Sequence, residues 1–399
     1  MTLPLPAFRP RLAHLLSVTG LVAALGVAPA ALAQSPVKIG FIGTLSGPGG
    51  ALGQDQYDAF MLAIQQKGGK LGGVPVEVIR EDDQLKPDVG VQAATKLLKS
   101  DNVAFVTGVT FSNVMMAIHK PITDAGVFLI GSNAGPAPIA GKQCSKYFFS
   151  TSWDNDQLHE AGGQLASDLG YKNMYVMAAN YQAGRDAVSG FKRNYNGKVI
   201  DEVYTQVNQP DYSAEIAQLQ AANPDAVYVF YPGGMGVNFV KQYRQAGLLG
   251  KIPLLSAASI DGATLPALKQ LAVGVITSAP YAPDLNNAQN KQFVDAFVQA
   301  YKRQPSMYAA QSYDAANLID SALTKVKGDT TNKEALHAAL KEASFASVRG
   351  PFAFASNQFP DAGFFRVDVI ESPDGAALSA VSPITIKTRA NFAAQCPLK

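Results

Sequence analysis

Short runs of β-branched and aromatic residues recur along the chain, each closed by a glycine or a turn, and alternate with stretches whose apolar positions fall three and four apart. "VKIGFIGTL" (37–45), "VPVEVIRED" (74–82), "VAFVTG" (103–108) and "GVFLIGS" (126–132) read as strands. The stretches 55–67, 88–100 and 112–124 between them read as helices. The pattern then restarts. "NMYVMAAN" (173–180), "KVIDEVYT" (198–205), "DAVYVFY" (225–231), "IPLLSA" (252–257) and "GVITSAPY" (274–281) alternate with helical patterns over 183–195, 212–222, 235–247 and 263–271. Strand–helix alternation of this kind predicts an α/β fold with parallel sheets, here two doubly wound α/β lobes of similar size.

Beyond residue 285 the pattern changes to long helices at 289–304, 308–326 and 332–343, and then to "RGPFAFASNQFPDAGFFRVDVI" (349–370), which reads as β structure. These elements are too few to enclose a third core, so they are expected to complete the first two lobes. Open α/β sheets bind ligands beyond the carboxyl ends of their strands, and two such edges facing each other would form a cleft.

The ends of the chain add a location. Arg9 and Arg11 precede an apolar run from Leu15 to Ala31, interrupted by Gly20, Gly26 and Pro29 and closing on Ala31-Leu32-Ala33. A charged start, an apolar middle and a small-x-small close describe a signal peptide at 1–33, removed on export to the periplasm. Removing Arg9 and Arg11 from the 33 basic residues leaves 31 against 31 acidic ones. The balance gives no basis for a nucleic-acid partner. Two cysteines remain, Cys144 and Cys396. In an oxidising compartment a lone, widely separated pair suggests a disulfide, with two buried thiols as the alternative.

Chemistry-bearing motifs are conspicuous by what they lack. "GTLSGPGGALGQ" (43–54) has glycines but no Lys-Ser/Thr, so it reads as a tight strand-to-helix turn and not a phosphate cradle. His119, His159 and His337 stand singly in helical segments, without a second ligand at metal spacing, and read as surface or capping residues. "EDD" (81–83) reads as a loop organiser. The sequence therefore predicts no catalytic residues, no metal and no cofactor. What it offers is "GVTFSNV" (108–114), where a strand ends in Thr110 and Phe111 and Ser112 opens a helix. Such a junction presents backbone N–H groups and a hydroxyl to an anion, although Ser112 could equally be an ordinary helix cap. Uncharged donors suit a carboxylate that must later be released unchanged. Tyr181, Phe230, Tyr231 and Tyr281 sit at strand ends or crossovers on the cleft side and favour a flat or apolar ligand body.

"VKIGFIGTLSGPGGALGQDQYDAFMLAIQQKGG", the "DD" after the second strand, "GVTFSNV", "PITDAGVFLIG", "DYSAEIAQLQAANPDAVYVFYPG" and "YAAQSYDAANLI" together resemble the branched-chain amino-acid binding-protein family, type I solute-binding proteins of ABC importers. The likeness runs in order from about 36 to 375. It implies two lobes joined by three crossovers, near 150–155, 278–283 and 352–360. The corresponding division is 34–152 for the first segment of lobe 1, 153–280 for lobe 2, 281–355 for the return to lobe 1, and 356–399 for the rest of lobe 2 with a C-terminal tail. It also implies a monomer that encloses a small-molecule ligand and delivers it to an ABC permease in the inner membrane. Carried over by residue, the family's carboxylate-holding hydroxyl falls on Ser112, and its backbone contacts fall on Asn133, Ala134 and Gly135, with Gly135 where a second hydroxyl is expected. Amino-acid binders keep a carboxylate for the ligand ammonium at about Ala258 or Ser259, and this chain has none there. A buried ammonium without a counter-charge is costly. "NYQAGRDA", "CSKYFFSTSWDND" and "RGPFAFASNQFP" resemble the subgroup that handles aromatic carboxylates. The expected ligand is an aromatic acid of the benzoate or phenylpropanoid type. The alternatives are a branched-chain or other aliphatic amino acid, or a sensory protein of the same fold.

Overall fold

The computed structural model describes Met1 and residues 35–257, 259–373 and 375–398; the expected signal peptide and Ala258 lie outside the described residues. In chain order the first elements are β1 (Val37–Gly43), α1 (Gly50–Gln66), β2 (Lys70–Leu71), β3 (Val74–Asp82), α2 (Pro87–Lys96), β4 (Phe105–Gly108), α3 (Ser112–Asp124), β5 (Phe128–Gly131), α4 (Ala137–Ala140) and β6 (Phe148–Ser150). There follow α5 (Asn155–Asp168), β7 (Asn173–Ala179), α6 (Gln182–Asn194), β8 (Lys198–Thr205), α7 (Ser213–Ala222), β9 (Ala226–Phe230), α8 (Gly234–Gln245), β10 (Leu254–Ala257), α9 (Leu265–Leu268) and β11 (Ile276–Ala279). The last are α10 (Ala288–Tyr301), α11 (Met307–Lys325), α12 (Lys333–Glu342), β12 (Phe364–Ser372) and β13 (Gly375–Ile384).

Two sheets result. The lobe-1 sheet runs β2-β3-β1-β4-β5-β6 and the lobe-2 sheet β13-β12-β11-β10-β9-β7-β8. Both are parallel at their centres, with Ile39 opposite Phe105 in one and Leu255 opposite Tyr228 in the other. β4, β5, β9 and β10 are buried along their whole length, as parallel strands covered on both faces must be. Helix α1 packs on α11 over lobe 1, and α5 packs on α6 over lobe 2. Gly53 marks how closely α1 approaches the end of β1: a Cβ there would lie 2.0 Å from the Thr44 carbonyl oxygen.

Two expectations for the elements need correction. Residues 349–370 form a strand only from Phe364; Gly350, Pro351, Pro360 and Gly363 interrupt the rest, leaving an isolated Phe354–Pro360 bridge. The aromatic alternation there is real, but it serves packing, since Phe354 meets the edge of Phe149 at 5.2 Å between centroids. The helix expected over 263–271 breaks into α9 and a tight turn at Lys269, whose φ is 47°. The helical segment expected around His159, without bounds, is α5.

The segments linking the lobes are tied to one another. Arg349 donates to Asp314 Oδ2 at 3.1 Å, to the Ser152 carbonyl at 3.2 Å and to the Thr151 carbonyl. Gln358 O accepts from Ser150 N at 3.0 Å. The C-terminal tail adds a further link. Asn194 and Glu160 on lobe 2 hold Thr388 and Ala390, and Cys396 is bonded to Cys144 beside lobe-1 strand β6, with 5.7 Å between their Cα atoms. Among the described residues no helix is long and apolar enough to cross a membrane.

Candidate functional site

The site begins where β4 stops. Val109 adopts φ 62°, a left-handed conformation that costs a β-branched residue roughly 1–3 kcal/mol. Two backbone bonds hold it: its N–H donates to Ile42 O at 2.6 Å, and its carbonyl accepts from Ala134 N at 3.1 Å. The turn carries Thr110, Phe111 and Ser112 across the sheet edge. Thr110 Oγ1 donates to Gln56 Oε1 at 2.7 Å and accepts from Thr44 N at 3.1 Å, so this hydroxyl braces lobe 1. Asp83 has the same kind of role: it accepts from the Thr44 hydroxyl at 2.5 Å and from Leu85 N at 2.8 Å.

Ser112 is not the cap of α3. That position is Phe111, which makes no side-chain bond to the helix, so the first-turn N–H groups retain their capacity for an anion. Ser112 Oγ accepts from Asn155 Nδ2 at 3.1 Å. The other Nδ2 proton goes to Asp186 Oδ2 at 2.9 Å, and Asn155 Oδ1 accepts from Gly135 N at 3.2 Å. Asn155 opens α5, which packs on lobe 2, whereas Ser112 and Gly135 belong to lobe 1. One amide thus fastens the lobes together and, by donating to Ser112, leaves the serine's own proton free to donate. Burial pushes the Asp186 carboxyl up, opposed by its bonds from Asn155, Ala137 N and Gln182.

Between the lobes lies a cavity of about 20 Å³. Thr110, Phe111, Ser112, Asn133 and Ala134 line it from lobe 1. Trp153, Asn155, Leu158, His159, Tyr181, Ala183, Phe230 and Pro232 complete most of the wall, with Leu52 and Tyr308. Rings dominate: Tyr181 stacks on Phe230 with 6.2 Å between centroids, and Phe111 lies 6.3 Å from Tyr181. His159 stands edge-on to Phe230 at 4.6 Å, and its Nδ1 is 2.6 Å from the Tyr228 hydroxyl. Burial lowers its pKa to about 3, which makes it a neutral group near pH 7. No Asp, Glu, Lys or Arg appears among the described lining residues.

Of the residues singled out from the sequence, Thr110, Phe111, Ser112, Asn133, Ala134, Tyr181 and Phe230 meet at this cavity. Gly135 lies just behind it. A Cβ there would be 2.1 Å from the Trp153 carbonyl oxygen, so no hydroxyl-bearing side chain fits in its place. Tyr231 turns into the lobe-2 core, accepting from Thr205 Oγ1 at 3.2 Å and packing 5.0 Å from Tyr212. Ser259 is buried and its Oγ accepts from Tyr231 N at 2.9 Å. Tyr281 lines a separate cavity of about 10 Å³ with Asp261 and Ser306. Ala258 falls outside the described residues.

Two of the three histidines are not surface residues, while His337 is half-buried against Gln358. His119 and His159 are buried, and His159 is part of the cavity wall. Sequence reasoning also missed Asn155 and Trp153. A signal was present: Asp154 and Gln157 form an Asp-x-x-Gln start, and the Asp154 carboxylate does accept from Gln157 N at 3.2 Å. Among the described residues no three His, Cys, Asp or Glu side chains are grouped to hold a metal ion.

Two α/β lobes closed over a small cavity of rings and neutral donors define a binding protein for a small solute. Residues 36–371 match the periplasmic binding protein family, and the chain belongs to it. A solute-binding protein of an ABC transporter from R. palustris, solved in complex with benzoate, is 31% identical, with a TM-score of 0.83 over 88% of this chain and 97% of that one. Another from Rhodopseudomonas palustris BisB5, in complex with 3,4-dihydroxy benzoic acid, is 27% identical, with a TM-score of 0.82 over 88% and 99%. The Leu/Ile/Val-binding protein homolog 6 of Brucella melitensis biotype 1 is 26% identical over 339 residues, 83% of this chain and 86% of that protein. The protein is therefore an ABC-type solute-binding protein of a periplasmic transport family, which is not a family of enzymes.

Proposed function

We propose that this protein captures a small aromatic carboxylate, of the benzoate or phenylpropanoid type, between its lobes and passes it to an inner-membrane ABC permease. Export would use segment 1–33, and the working form would be a monomer. The observation that carries the reading is the make-up of the cavity. Ser112 and the start of α3 supply neutral donors, Phe111, Trp153, Tyr181, Phe230 and Tyr308 supply aromatic rings, and no charged side chain is among the described lining residues. Neutral donors hold an anion without the deep well of a buried ion pair, which suits capture followed by release. An α-amino acid would bring an ammonium that these lining residues leave without a counter-charge. The ligands named for the two R. palustris neighbours agree with an aromatic acid.

The cavity of about 20 Å³ has room for little more than a water molecule. A ring must therefore separate the lobes, or the side chains of Tyr181 and Phe230, to enter. The competing reading follows the Leu/Ile/Val-binding names of the curated relatives. A thermal-shift and calorimetry series of benzoate, hydroxybenzoates, phenylpropanoids, leucine and valine separates the two. An aromatic acid at 100 times its Kd should add about 2.7 kcal/mol of stability. Binding of leucine or valine, with none of the aromatic acids, overturns the proposal.

A further inference from the structure

We infer that Asp186 is a positioning residue of the ligand site: from lobe 2 it holds the Asn155 amide in the one orientation that leaves the Ser112 hydroxyl proton free for the ligand's carboxylate. The inference rests on the carboxylate reading of the same cavity and names a residue that works behind it.

The partners of Asn155 fix which way its amide faces. The Gly135 N–H, 3.2 Å away, can only donate, so the amide atom facing it is Oδ1. The other branch is Nδ2, whose two protons have two acceptors, Asp186 Oδ2 at 2.9 Å and Ser112 Oγ at 3.1 Å. With a lone pair of Ser112 taken by that N–H, the serine's own proton is left over, and none of the described residues accepts it. Turning the amide over would set Oδ1 against the Asp186 carboxyl and Nδ2 against the Gly135 N–H. It would also give the serine proton an acceptor inside the protein and take it from the ligand. Asp186 receives N–H bonds from Ala137 at 3.2 Å, from Gln182 at 2.8 Å and from Asn155, a donor set that suits a carboxylate. The bond from Asn155 to Asp186 is the shorter of the two that resist the turn, and an ionised acceptor makes it the stronger.

Asp186 is buried and is not among the residues that line the cavity, where Ser112 and Asn155 are. It therefore acts through the amide and not on the ligand. Its seat belongs to both lobes, since Gln182 lies one turn earlier on α6 while Ala137 opens α4 on lobe 1. The same helix α6 starts beside Tyr181, whose ring lines the cavity. Closure that brings Tyr181 over a ligand thus also seats Asp186 against lobe 1, and the serine is set as a donor when the lobes are together.

Calorimetry with benzoate on the wild type, Ser112→Ala, Asp186→Ala and the double variant, each checked for cooperative melting, tests this as a cycle. Asp186→Ala should weaken benzoate binding by about 5- to 30-fold, and by a factor at least about threefold smaller in the Ser112→Ala background. Asp186→Asn still offers an oxygen to Ala137 N and Asn155, with the Gln182 amide able to turn over, and should keep the affinity within about threefold of wild type. If Asp186→Ala does not melt cooperatively, Asp186→Leu, which fills the space without an acceptor, takes its place in the cycle. Unchanged affinity in Asp186→Ala overturns the inference, as does a loss of equal size with and without Ser112, or a loss in Asp186→Asn as large as in Asp186→Ala. If leucine binds and no aromatic acid does, the aromatic reading falls, and the same cycle run with leucine, which also carries a carboxylate, decides the role of Asp186.

Discussion

Ser112 and Ser259 stand in comparable places, a few residues beyond the ends of β4 and β10, each a central strand of its sheet. Their hydroxyls do different work. Ser259 Oγ accepts from Tyr231 N, and the Ser259 carbonyl accepts from Thr264 Oγ1, so the residue organises its own loop. Ser112 receives one bond, from Asn155 across the lobe boundary, and its proton remains available at the cavity. The contrast extends to the lobes themselves. Lobe 1 brings a hydroxyl and a helix start to the cleft, whereas lobe 2 turns its polar groups inward and presents Tyr181, Phe230 and a neutral His159. On the proposed function, a polar head and an apolar cover would belong to different lobes, and closure would bring them onto one ligand.

The largest expected effect comes from removing the cover. Phe230→Ala deletes a buried ring that packs on both Tyr181 and His159. It should cost about 3–5 kcal/mol of stability in urea unfolding. Affinity for an aromatic acid should fall more than affinity for acetate. Equal losses for the two acids would mean that the ring does not cover the ligand.

Exchanging the two serines for alanine tests the comparison directly. Ser112→Ala should weaken carboxylate binding by about 1.5–3 kcal/mol, the range for a hydrogen bond to a charged group, with little change in unfolding. Ser259→Ala strands the buried Tyr231 N–H. It should lower stability by about 1–3 kcal/mol while leaving the ligand Kd within about twofold of wild type. The opposite pattern, with Ser259 controlling affinity and Ser112 controlling stability, would reverse the assignment of the head-group end.

How far the sequence carried this picture depends on what each residue's chemistry requires. The central strands and α1, α3, α6, α8 and α11 were legible because both sheets are covered on two faces, so their apolar runs and helical periods have few interruptions. "GVTFSNV" was legible because a strand that ends in hydroxyl residues before a helix has few uses. The fate of an individual hydroxyl was not. Thr110 and Ser112 look alike in sequence, yet Gln56, 54 residues away, takes the Thr110 proton and Asn155 orients Ser112. The helical reading around His159 carried no bounds, so the start of α5 at Asn155 was not legible. Gly162 and Gly163 are there because Tyr228 and the Phe191 carbonyl approach so closely that a Cβ would lie 2.5 and 2.1 Å from them. Without the start of α5 and its partner helix, Asn155 could not be placed at the cleft, and a lone helical histidine looked like surface.

The last effect concerns how dry the lobe-2 wall is, and pH reads it through His159. Burial lowers its folded pKa from 6.5 to about 3, so the folded protein holds this ring neutral where the unfolded chain would protonate it. The unfolded state therefore binds more protons between those two values. Stability contributed by the neutral ring is fully present above about pH 6.5 and is lost as the pH falls, by about 1.4 kcal/mol per unit. Asp156 and Asp261, both raised to about 7 by burial, act in the opposite sense, since the folded state holds their protons more tightly and gains stability as the pH falls from 7. The net curve of the wild type mixes these contributions, but the difference between wild type and His159→Phe does not, because the aspartates are common to both. Urea unfolding of the pair at about pH 7, 5.5 and 4.5 should show the wild type losing ground to the variant at each step, by about 2–3 kcal/mol in all. Parallel curves would mean that water reaches His159 in the folded protein. The lobe-2 wall would then be wet, and the division between a polar lobe 1 and an apolar lobe 2 would fail at the residue where it is sharpest.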